Sequence, residues 1–318
     1  MKRIGNLYEQ IISIDNLQKA DELARKGKKL SYGVRIHDKN REENIVTLHE
    51  LLKNKTFKTS DYHIFKIYEP KEREIYRLPY FPDRIVHHAV MNILEPIWVN
   101  IFTRDTYSCI KNRGIHAAVK KLKNDLKDTT ETKFCLKLDI RKFYPSIDHD
   151  ILKAVIRRKI KDENLLWLLD EIIDSAPGVP IGNYLSQYFA NLYLAYFDHF
   201  IKEDLNVKYY YRYADDIVIL SATKTELHKL LNEIKKYLKI NLKLEVKKNY
   251  QVFPVDSRGI DFLGYKFFHS HILLRKSIKK RFARAVSKKE GNLMQTHAAY
   301  WGWAKYCNSK HLLKKLAA

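Results

Sequence analysis

The stretch YYYRYADDIVIL, residues 209–220, sets two adjacent acids between two apolar segments. This pattern predicts a strand, a tight turn and a second strand, with Asp215 and Asp216 at the hairpin tip. Adjacent carboxylates repel each other, so either solvent or a cation is expected to stabilise them. Because residues 217–220 have no polar face, we expect the hairpin to lie in a buried sheet, with its tip in a cleft.

A second stretch, KFCLKLDIRKFYPSIDH at residues 133–149, also carries an acid in a strand-like pattern. We expect Asp139 on the solvated face of this strand, near its end, although on this strand alone it could simply be a residue that starts a turn. The alternation that predicts one buried face is Phe134, Leu136 and Leu138 against Cys135, Lys137 and Asp139.

Together, the two stretches supply the carboxylates that two-metal phosphoryl transfer requires. Two magnesium ions about 3.5–4 Å apart stabilise the attacking and leaving oxygens. Magnesium prefers oxygen ligands from a few carboxylates and from substrate phosphates. We expect Asp139 and Asp215 to bridge the ions and Asp216 to support them. Ile140 would add its backbone carbonyl.

The charge balance indicates a polyanionic partner. The chain of 318 residues has 59 Lys and Arg against 37 Asp and Glu, a net charge of +22. This excess strains a compact fold unless a polyanion relieves it, and nucleic acid is a simpler candidate than an anionic membrane surface. No apolar run approaches the roughly 18 residues of a membrane span. The three cysteines form no zinc or disulfide pattern, which fits a reducing cytoplasm.

The rest of the chain predicts one continuous globular unit with interleaved helices and strands. Residues 1–60 are expected to be helical, with polar loops at 27–29 and 37–43. The other expected elements are strands at 62–80 around a charged turn at 69–72, helices at 83–99, 115–126 and 224–238, a hairpin at 259–268, and a basic helical tail from Arg275.

The sequence motifs of this chain, in the order in which they occur, resemble those of the reverse transcriptase family from about residue 62 to residue 308. YADD matches the catalytic hairpin of the family, LDIRKFYPSI its first catalytic strand, and FLGY at residues 262–265 a later hairpin. The resemblance implies an α+β right-hand polymerase with fingers, a palm built on an antiparallel sheet, and a helical thumb. The implied bounds are fingers at 1–130 and again at 150–180, palm at 131–149 and 181–265, and thumb at 266–318.

The block GVPIGNYLSQ, residues 178–187, is similar to one subfamily in particular. Most of the family has a Gln-Gly pair here and ends the block in Ser-Pro. In this chain Ile181 precedes Gly182, and Gln187 follows Ser186, which resembles the reverse transcriptases of diversity-generating retroelements. Those enzymes copy a template RNA and misincorporate opposite its adenines. Residues 184–185 depart from the subfamily, since Tyr-Leu replaces the typical Leu-Thr.

The resemblance also implies nucleotide-binding residues. Tyr144 matches the steric gate that excludes a 2′-hydroxyl, although it could be a core aromatic residue. The residues expected around the templating base pair are Ile181, Gly182 and Gln187. Because Ile181 is apolar, it lacks the side-chain amide that helps to select the correct base pair. We expect Ile181→Gln to raise fidelity at template adenines.

Several basic residues are implied contacts with the nucleotide or the nucleic acid. Arg73 or Arg77 would clamp the triphosphate, and Arg84 matches a position near the template strand. Lys247 or Lys248 would donate a proton to pyrophosphate. Each could instead be a solvated or salt-bridged charge.

The C-terminal tail matches the thumb of the family. Ile278, Phe282 and Val286 would face its core. On another face of the same helix, a basic stripe would follow a phosphate backbone, although charge stripes are often only solvated faces. That stripe is Lys280, Arg284 and Lys288. The aromatic cluster at residues 300–303 is expected to pack within the thumb.

The leading interpretation is an RNA-directed DNA polymerase of a diversity-generating retroelement, cytoplasmic and encoded by a bacterium or a phage. Its expected partners are template RNA, a cDNA primer–template duplex, deoxynucleotides and a small basic oligomeric accessory protein, with no membrane. The alternatives are another bacterial reverse transcriptase, from a defence system, a retron or a group II intron, and a non-catalytic RNA-binding protein on a polymerase fold. An RNA-dependent RNA polymerase would not be expected to have Tyr144 as its gate.

Overall fold

The computed structural model of the protein describes residues 2–68, 72–287 and 293–312. Its strands are β1 (His63–Ile67), β2 (Arg73–Arg77), β3 (Phe134–Asp139), β4 (Tyr209–Tyr213), β5 (Asp216–Ser221), β6 (Gln251–Pro254), β7 (Ile260–Phe262), β8 (Tyr265–Phe267) and β9 (Ile272–Leu274). Its helices are α1 (Tyr8–Ile12), α2 (Ile14–Ala24), α3 (Tyr32–Lys39), α4 (Arg41–Lys53), α5 (Ile85–Val99), α6 (Ile115–Asp125), α7 (His149–Arg157), α8 (Glu163–Asp174), α9 (Tyr184–Tyr193), α10 (Ala195–His199), α11 (Lys224–Leu242), α12 (Val255–Arg258), α13 (Lys276–Ser287) and α14 (Leu293–Ala304). Further helical turns lie at Tyr80–Arg84, Tyr144–Ser146 and Phe200–Asp204.

The chain divides into two compact units, each assembled from separate stretches. Unit 1 comprises Met1–Thr103, Arg141–Asp198 and Lys239–Leu244, and unit 2 comprises Arg104–Ile140, His199–Leu238 and Glu245–Ala318. The bounds given above for fingers, palm and thumb stay predictions. None of the helices in the described stretches is long and apolar enough to cross a membrane.

Helices α1–α5 of unit 1 include a buried carboxylate that is fully paired, that of Asp21. Asp21 is fully buried and accepts hydrogen bonds from Arg25, Arg41 and Tyr80. These charge-assisted bonds offset the cost of removing the carboxylate from water.

The predicted loop at residues 37–43 is wrong. Helix α3 runs to Lys39 and α4 begins at Arg41, so Asn40 alone separates them. His37 is buried and stacks on Phe81, with ring centroids 5.4 Å apart. This packing keeps the polar-looking segment helical.

The expected strands near residues 62–80 form an antiparallel hairpin in unit 1. His63 pairs with Arg77 and Ile67 with Arg73. The residues of β1 are all exposed, so the hairpin is held to unit 1 mainly through β2, where the Tyr76 amide donates a 2.8 Å hydrogen bond to the Ile181 carbonyl.

Unit 2 contains an antiparallel sheet in the order β4-β5-β3-β6. The expected hairpin at residues 209–220 forms its β4 and β5, which are buried apart from the residues at the tip. The expectation that β3 buries one face only is wrong, because Cys135 is also fully buried, in a cluster with Tyr211 and Phe253. Strand β3 is therefore a central strand, covered on both faces except near Asp139.

The expected hairpin at residues 259–268 forms β7 and β8, and β9 extends it into a second small sheet. Its turn includes Gly264 at a φ of +86°, which favours glycine. A Cβ built there would lie 2.6 Å from Trp303 and 2.7 Å from Ile278. The turn is therefore in close contact with α13 and α14.

The C-terminal helices follow the predicted pattern in part. Ile278 and Phe282 are buried as expected, while Val286 is only partly buried. Tyr300 stacks on Phe282, but Trp301 is 58% exposed, so the aromatic cluster packs only in part.

Candidate active site

The three predicted acids meet at one end of the main sheet of unit 2. Asp139, the last residue of β3, stands opposite Asp216, the first residue of β5, in the register of the two strands. Asp215 lies in the turn before β5, and the backbone carbonyl of Asp215 accepts a 3.4 Å hydrogen bond from the Ile140 amide. Ala214 in this turn has a φ of +54°, a conformation that costs energy for a residue with a side chain. The fold thus keeps a strained turn where it brings the carboxylates together.

The closeness of the carboxylates changes their acidity. Burial, together with a hydrogen bond and the negative charge of Asp139, raises the pKa of Asp215 to about 7. Burial also raises the pKa of Asp216, and the charge of Asp139 adds to this effect, while Lys137 opposes it. A cluster that resists losing its protons in this way is one that a cation would stabilise.

Two lysines lie against these acids. Lys247 donates a 2.5 Å hydrogen bond from Nζ to Asp139 Oδ2, and its backbone amide donates to the Asp139 carbonyl at 2.8 Å. Lys137 places Nζ 3.6 Å from Asp216 Oδ1. The sequence suggested Lys247 as a residue of the site, but Lys137 was missed. The signal that could have found it is the strand period, since residues 137 and 139 project from the same face of β3.

The acids retain capacity for a further ligand. Asp139 Oδ1 and Asp216 Oδ1 are buried oxygens without a hydrogen-bond partner. Such orphaned carboxylate oxygens are costly unless a cation or donor reaches them, so the donor set fits a hard divalent cation. In the part of the chain that the structure describes, no three His, Cys, Asp or Glu side chains form a ready-made metal cluster.

A cavity of about 770 Å³ in unit 2 begins at Asp139. It runs past β6, the β7–β9 sheet and the start of α13. Its charged lining is mostly basic: Lys137, Arg258, Lys266, Arg275, Lys276 and Lys279, against Asp139 and Asp261. This excess of cations suits a polyanion that lies close to Asp139.

The other predicted nucleotide-binding residues belong to unit 1. Tyr144 begins a helical turn that packs closely on Gly178, where a Cβ would lie 2.6 Å from the Tyr144 carbonyl. Gly182 has a φ of +127°, and a Cβ there would lie 2.8 Å from the Tyr76 carbonyl. Ile181 is partly buried and Gln187 is exposed on α9. The block at 178–187 is thus fixed against β2 and the turn at Tyr144.

The predicted arginines also lie in unit 1. Arg73 and Arg77 are both exposed on β2. Arg84 and Arg77 line a second cavity, of about 660 Å³, together with Lys28 and the exposed Tyr32. Burial and the charge of Arg77 lower the pKa of Arg84, and burial together with the charges of both arginines lowers the pKa of Lys28. In the described part of the chain, Arg77, Arg84 and Lys28 have no carboxylate partner. Their charges therefore remain available to phosphate groups.

The predicted basic stripe is described in part. Lys280 and Arg284 are exposed on α13 of unit 2, one turn apart, whereas Lys288 lies outside the described residues. His87 is buried and burial lowers its pKa to about 3, while His269 is paired with Asp256.

Comparison with known proteins gives a family and several relatives. The family model described as reverse transcriptase (RNA-dependent DNA polymerase) matches residues 69–267. The chain is similar to protein YkfC of Escherichia coli, with 27% identity over 270 residues, covering 70% of this chain and 69% of that protein. The group II intron-encoded protein LtrA of Lactococcus lactis is 26% identical over 224 residues, covering 66% of this chain and 36% of LtrA. The retron Ec73 reverse transcriptase of Escherichia coli is 26% identical over 230 residues, covering 64% of this chain and 71% of that enzyme.

Solved structures give the fold. Telomerase from Candida tropicalis, in complex with a fragment of telomeric RNA, aligns with a TM-score of 0.51 at 12% identity, covering 72% of this chain and 49% of that one. The corresponding complex from Candida albicans aligns with a TM-score of 0.50 at 12% identity, covering 75% of this chain and 52% of that one. The chain thus spans about half the length of these telomerases. The predicted α+β right-hand polymerase fold class is confirmed.

Proposed function

The chain belongs to the reverse transcriptase (RNA-dependent DNA polymerase) family, and on that premise we propose that it copies a template RNA into cDNA by two-metal nucleotidyl transfer. We assign Asp139, Asp215 and Asp216, with the Ile140 carbonyl in support, as the residues that would hold two magnesium ions. The observation that carries it is the convergence of the three acids where β3 meets the β4–β5 hairpin.

The oxygens that the site leaves unpaired support the assignment of the metal ligands. Asp139 Oδ1 and Asp216 Oδ1 are buried without hydrogen-bond partners, and the pKa of Asp215 is raised to about 7, which a bound cation would lower again. When bound, the two ions would stabilise the attacking and leaving oxygens of the phosphoryl transfer. Lys247, whose Nζ donates a hydrogen bond to Asp139, would donate a proton to pyrophosphate, as the family resemblance implies.

The basic surfaces of the two units support contacts with nucleic acid. In unit 2, the cavity that begins at Asp139 would receive the primer strand, and Lys280 and Arg284 would follow its phosphates. In unit 1, the unpaired Arg84 would contact the template, with Arg73 or Arg77 on the triphosphate. Each telomerase structure named above is a complex with a fragment of telomeric RNA.

The finer part of the proposal is that the chain serves a diversity-generating retroelement. Ile181 stands where a glutamine amide is usual in the family, and the Tyr76 amide bonds its carbonyl at 2.8 Å, which fixes the residue. An apolar side chain in this place would relax selection of the base pair, while Tyr144 would exclude ribonucleotides. A small basic oligomeric accessory protein would join the complex. The acids and the gate would belong to the palm, and the C-terminal helices to the thumb, as the resemblance implies.

A second candidate is a reverse transcriptase of the group II intron or retron type, because LtrA and the retron Ec73 enzyme are similar to this chain. Error spectra separate the two candidates. For a retroelement enzyme, cDNA made by the unchanged chain carries errors mainly opposite template adenines, and Ile181→Gln reduces them. Equal error spectra from the two proteins would favour the second candidate.

The activity itself is tested by primer extension on RNA with four deoxynucleotides and magnesium. We expect the unchanged chain to extend the primer and Asp215→Asn to lose extension while it retains RNA binding, measured by filter retention. Asp204→Asn removes an exposed acid of the same unit and serves as the matched control. Extension by Asp215→Asn at the rate of this control would exclude the proposed chemistry.

A further inference from the structure

Lys137 is a charged residue at the acids that neither the family match nor the sequence motifs assign to a role. It lies two residues before Asp139 on β3, where it is paired with Val218 on β5 and with Gln251 on β6. Because side chains alternate along a strand, Lys137 and Asp139 project from the same face. The side chain of Lys137 is 23% exposed, so its ammonium group is only partly hydrated.

The ammonium group of Lys137 has two partners on different elements. Its Nζ lies 3.6 Å from Asp216 Oδ1, at the start of β5, and donates a hydrogen bond to the backbone carbonyl of Asp261 on β7. Asp216 Oδ1 is buried and has no hydrogen-bond partner. The ammonium group of Lys137 partly neutralises the negative charge of this oxygen but lies too far away to donate a hydrogen bond to it.

The contact with Asp261 continues into the wall of the cavity. The carboxylate of Asp261 pairs with Arg275, whose Nε donates a 2.6 Å hydrogen bond. The Arg275 amide in turn donates to the carbonyl of Gly264, in the β7–β8 turn, at 2.9 Å. A continuous series of polar contacts thus joins Asp216, through Lys137, to the β7–β8 hairpin and the start of α13.

We infer that Lys137 is a positioning residue that stands in for a cation at Asp216 and ties this carboxylate to the β7–β8 hairpin. The inference rests on the proposed function, because it takes Asp216 to be near a bound metal. Two cations close to one carboxylate repel each other, so Lys137 opposes metal binding. By holding the carboxylate and the hairpin in register, it favours the geometry that catalysis requires.

Lys137 is thus expected to weaken metal binding and to support catalysis. These opposite effects distinguish the inferred role from a merely structural one. Lys137→Met should bind the first divalent cation about tenfold more tightly, since one competing positive charge is gone. The same variant should have a kcat about tenfold lower, with an unchanged KM for deoxynucleotide, since the carboxylate has lost its tether. A lysine that only stabilises the fold would weaken both properties, and the melting temperature would fall with them.

The experiment measures manganese binding to the nucleic-acid-free protein by the electron paramagnetic resonance of free Mn²⁺, beside steady-state primer extension. Manganese is a suitable probe because it accepts the same oxygen ligands as magnesium. Lys137→Arg retains the positive charge and the donors, so it should show the metal affinity of the unchanged chain and recover most of kcat. Lys224→Met removes the same charge from an exposed site on α11 of the same unit and is the matched control.

Tighter manganese binding and lower kcat in Lys137→Met, with recovery in Lys137→Arg, would support the inference. Manganese affinity equal to or weaker than that of Lys224→Met would overturn it. Failure of the proposed function is recognised separately, because Asp215→Asn would then extend primers as the unchanged chain does. If Lys137→Met does not fold, Lys137→Gln, which retains a donor for the Asp261 carbonyl, gives the same comparison.

Discussion

At the scale of single residues, the site is a cluster of carboxylates that fold stability alone would not select. Burial, together with the nearby charge of Asp139, raises the pKa of Asp215 and of Asp216, and Ala214 holds a strained conformation between the strands. Such costs persist where function requires the arrangement. Removing one of the acids should therefore stabilise the metal-free protein.

Asp215→Asn is the variant that tests this cost. The pKa of Asp215 is raised from 3.8 to about 7 in the folded protein, so between these values the folded state retains a proton that the unfolded chain has released. The free energy of unfolding therefore falls as the pH rises through this window, and the penalty is fully present above it. With EDTA present, Asp215→Asn should melt at a higher temperature than the unchanged chain at pH 8 and at the same temperature near pH 4.

Scanning calorimetry at both pH values measures the difference. Asp204→Asn, which changes an exposed acid in the same unit, should shift the melting temperature equally at both. A melting temperature for Asp215→Asn below that of the unchanged chain at pH 8 would show that the acid is not strained by its neighbours.

The residue scale also shows what the sequence can and cannot predict. Asp139, Asp215 and Asp216 were predicted to meet, because an acid at a strand end and a pair at a hairpin tip have few other arrangements. The strand period places Lys137 on the same face as Asp139, but its contacts with Asp216 and Asp261 depend on the pairing of β3 with β5 and on the nearness of β7, which local periodicity does not contain. The roles assigned to Tyr144, Ile181 and the arginines stay predictions.

At the scale of elements, the buried hairpins were the most predictable. Apolar strands around a short turn predicted β4–β5 and β7–β8, and the structure confirms both. The loop expected at residues 37–43 failed because the polar composition hid the burial of His37, on α3, against Phe81. Strand β9 was not predicted, since its three residues are too few for a periodic signal.

The β7–β8 turn gives a prediction that belongs to this scale. Gly264→Ala should destabilise unit 2 by about 1–3 kcal/mol, because a Cβ would meet Trp303 and Ile278 in a left-handed backbone conformation. Gly302→Ala is the matched control, since nothing lies within 4 Å of its added Cβ. In a helix the control should be neutral or stabilising by about 0.5–1 kcal/mol.

Urea unfolding of both variants measures the free energies. The expected order of stability is Gly302→Ala at or above the unchanged chain, with Gly264→Ala clearly below it. Equal stability of the two variants would mean that the turn is not held against α13 and α14 as the structure describes.

At the scale of the whole molecule, family and enzyme class follow from the order of the blocks. The match over residues 69–267 confirms the predicted family and, at the level of the family, the predicted RNA-directed DNA polymerase. The subfamily stays a proposal, because it depends on a few residues of one block. The net charge of +22 predicts that electrostatic attraction contributes strongly to the binding of RNA.

The affinity for RNA should depend steeply on salt. If 6–10 phosphates are neutralised, the association constant should fall roughly 10³–10⁵-fold between 50 and 200 mM salt, because bound counterions are released. Fluorescence anisotropy at several salt concentrations gives the slope. Lys280→Gln and Arg284→Gln should each reduce the slope by about 1, the contribution of one phosphate contact. A slope that neither variant changes would show that α13 does not contact the RNA.

The central claim is that three carboxylates hold two divalent cations against a nucleotide, and anomalous scattering from manganese tests it most directly. In crystals of the chain with a primer–template and a non-hydrolysable deoxynucleotide, we expect two manganese peaks coordinated by Asp139 and Asp215, with Asp216 beside them. Manganese bound elsewhere, or carboxylates that stay paired with Lys137 and Lys247 while the nucleotide is bound, would contradict the account.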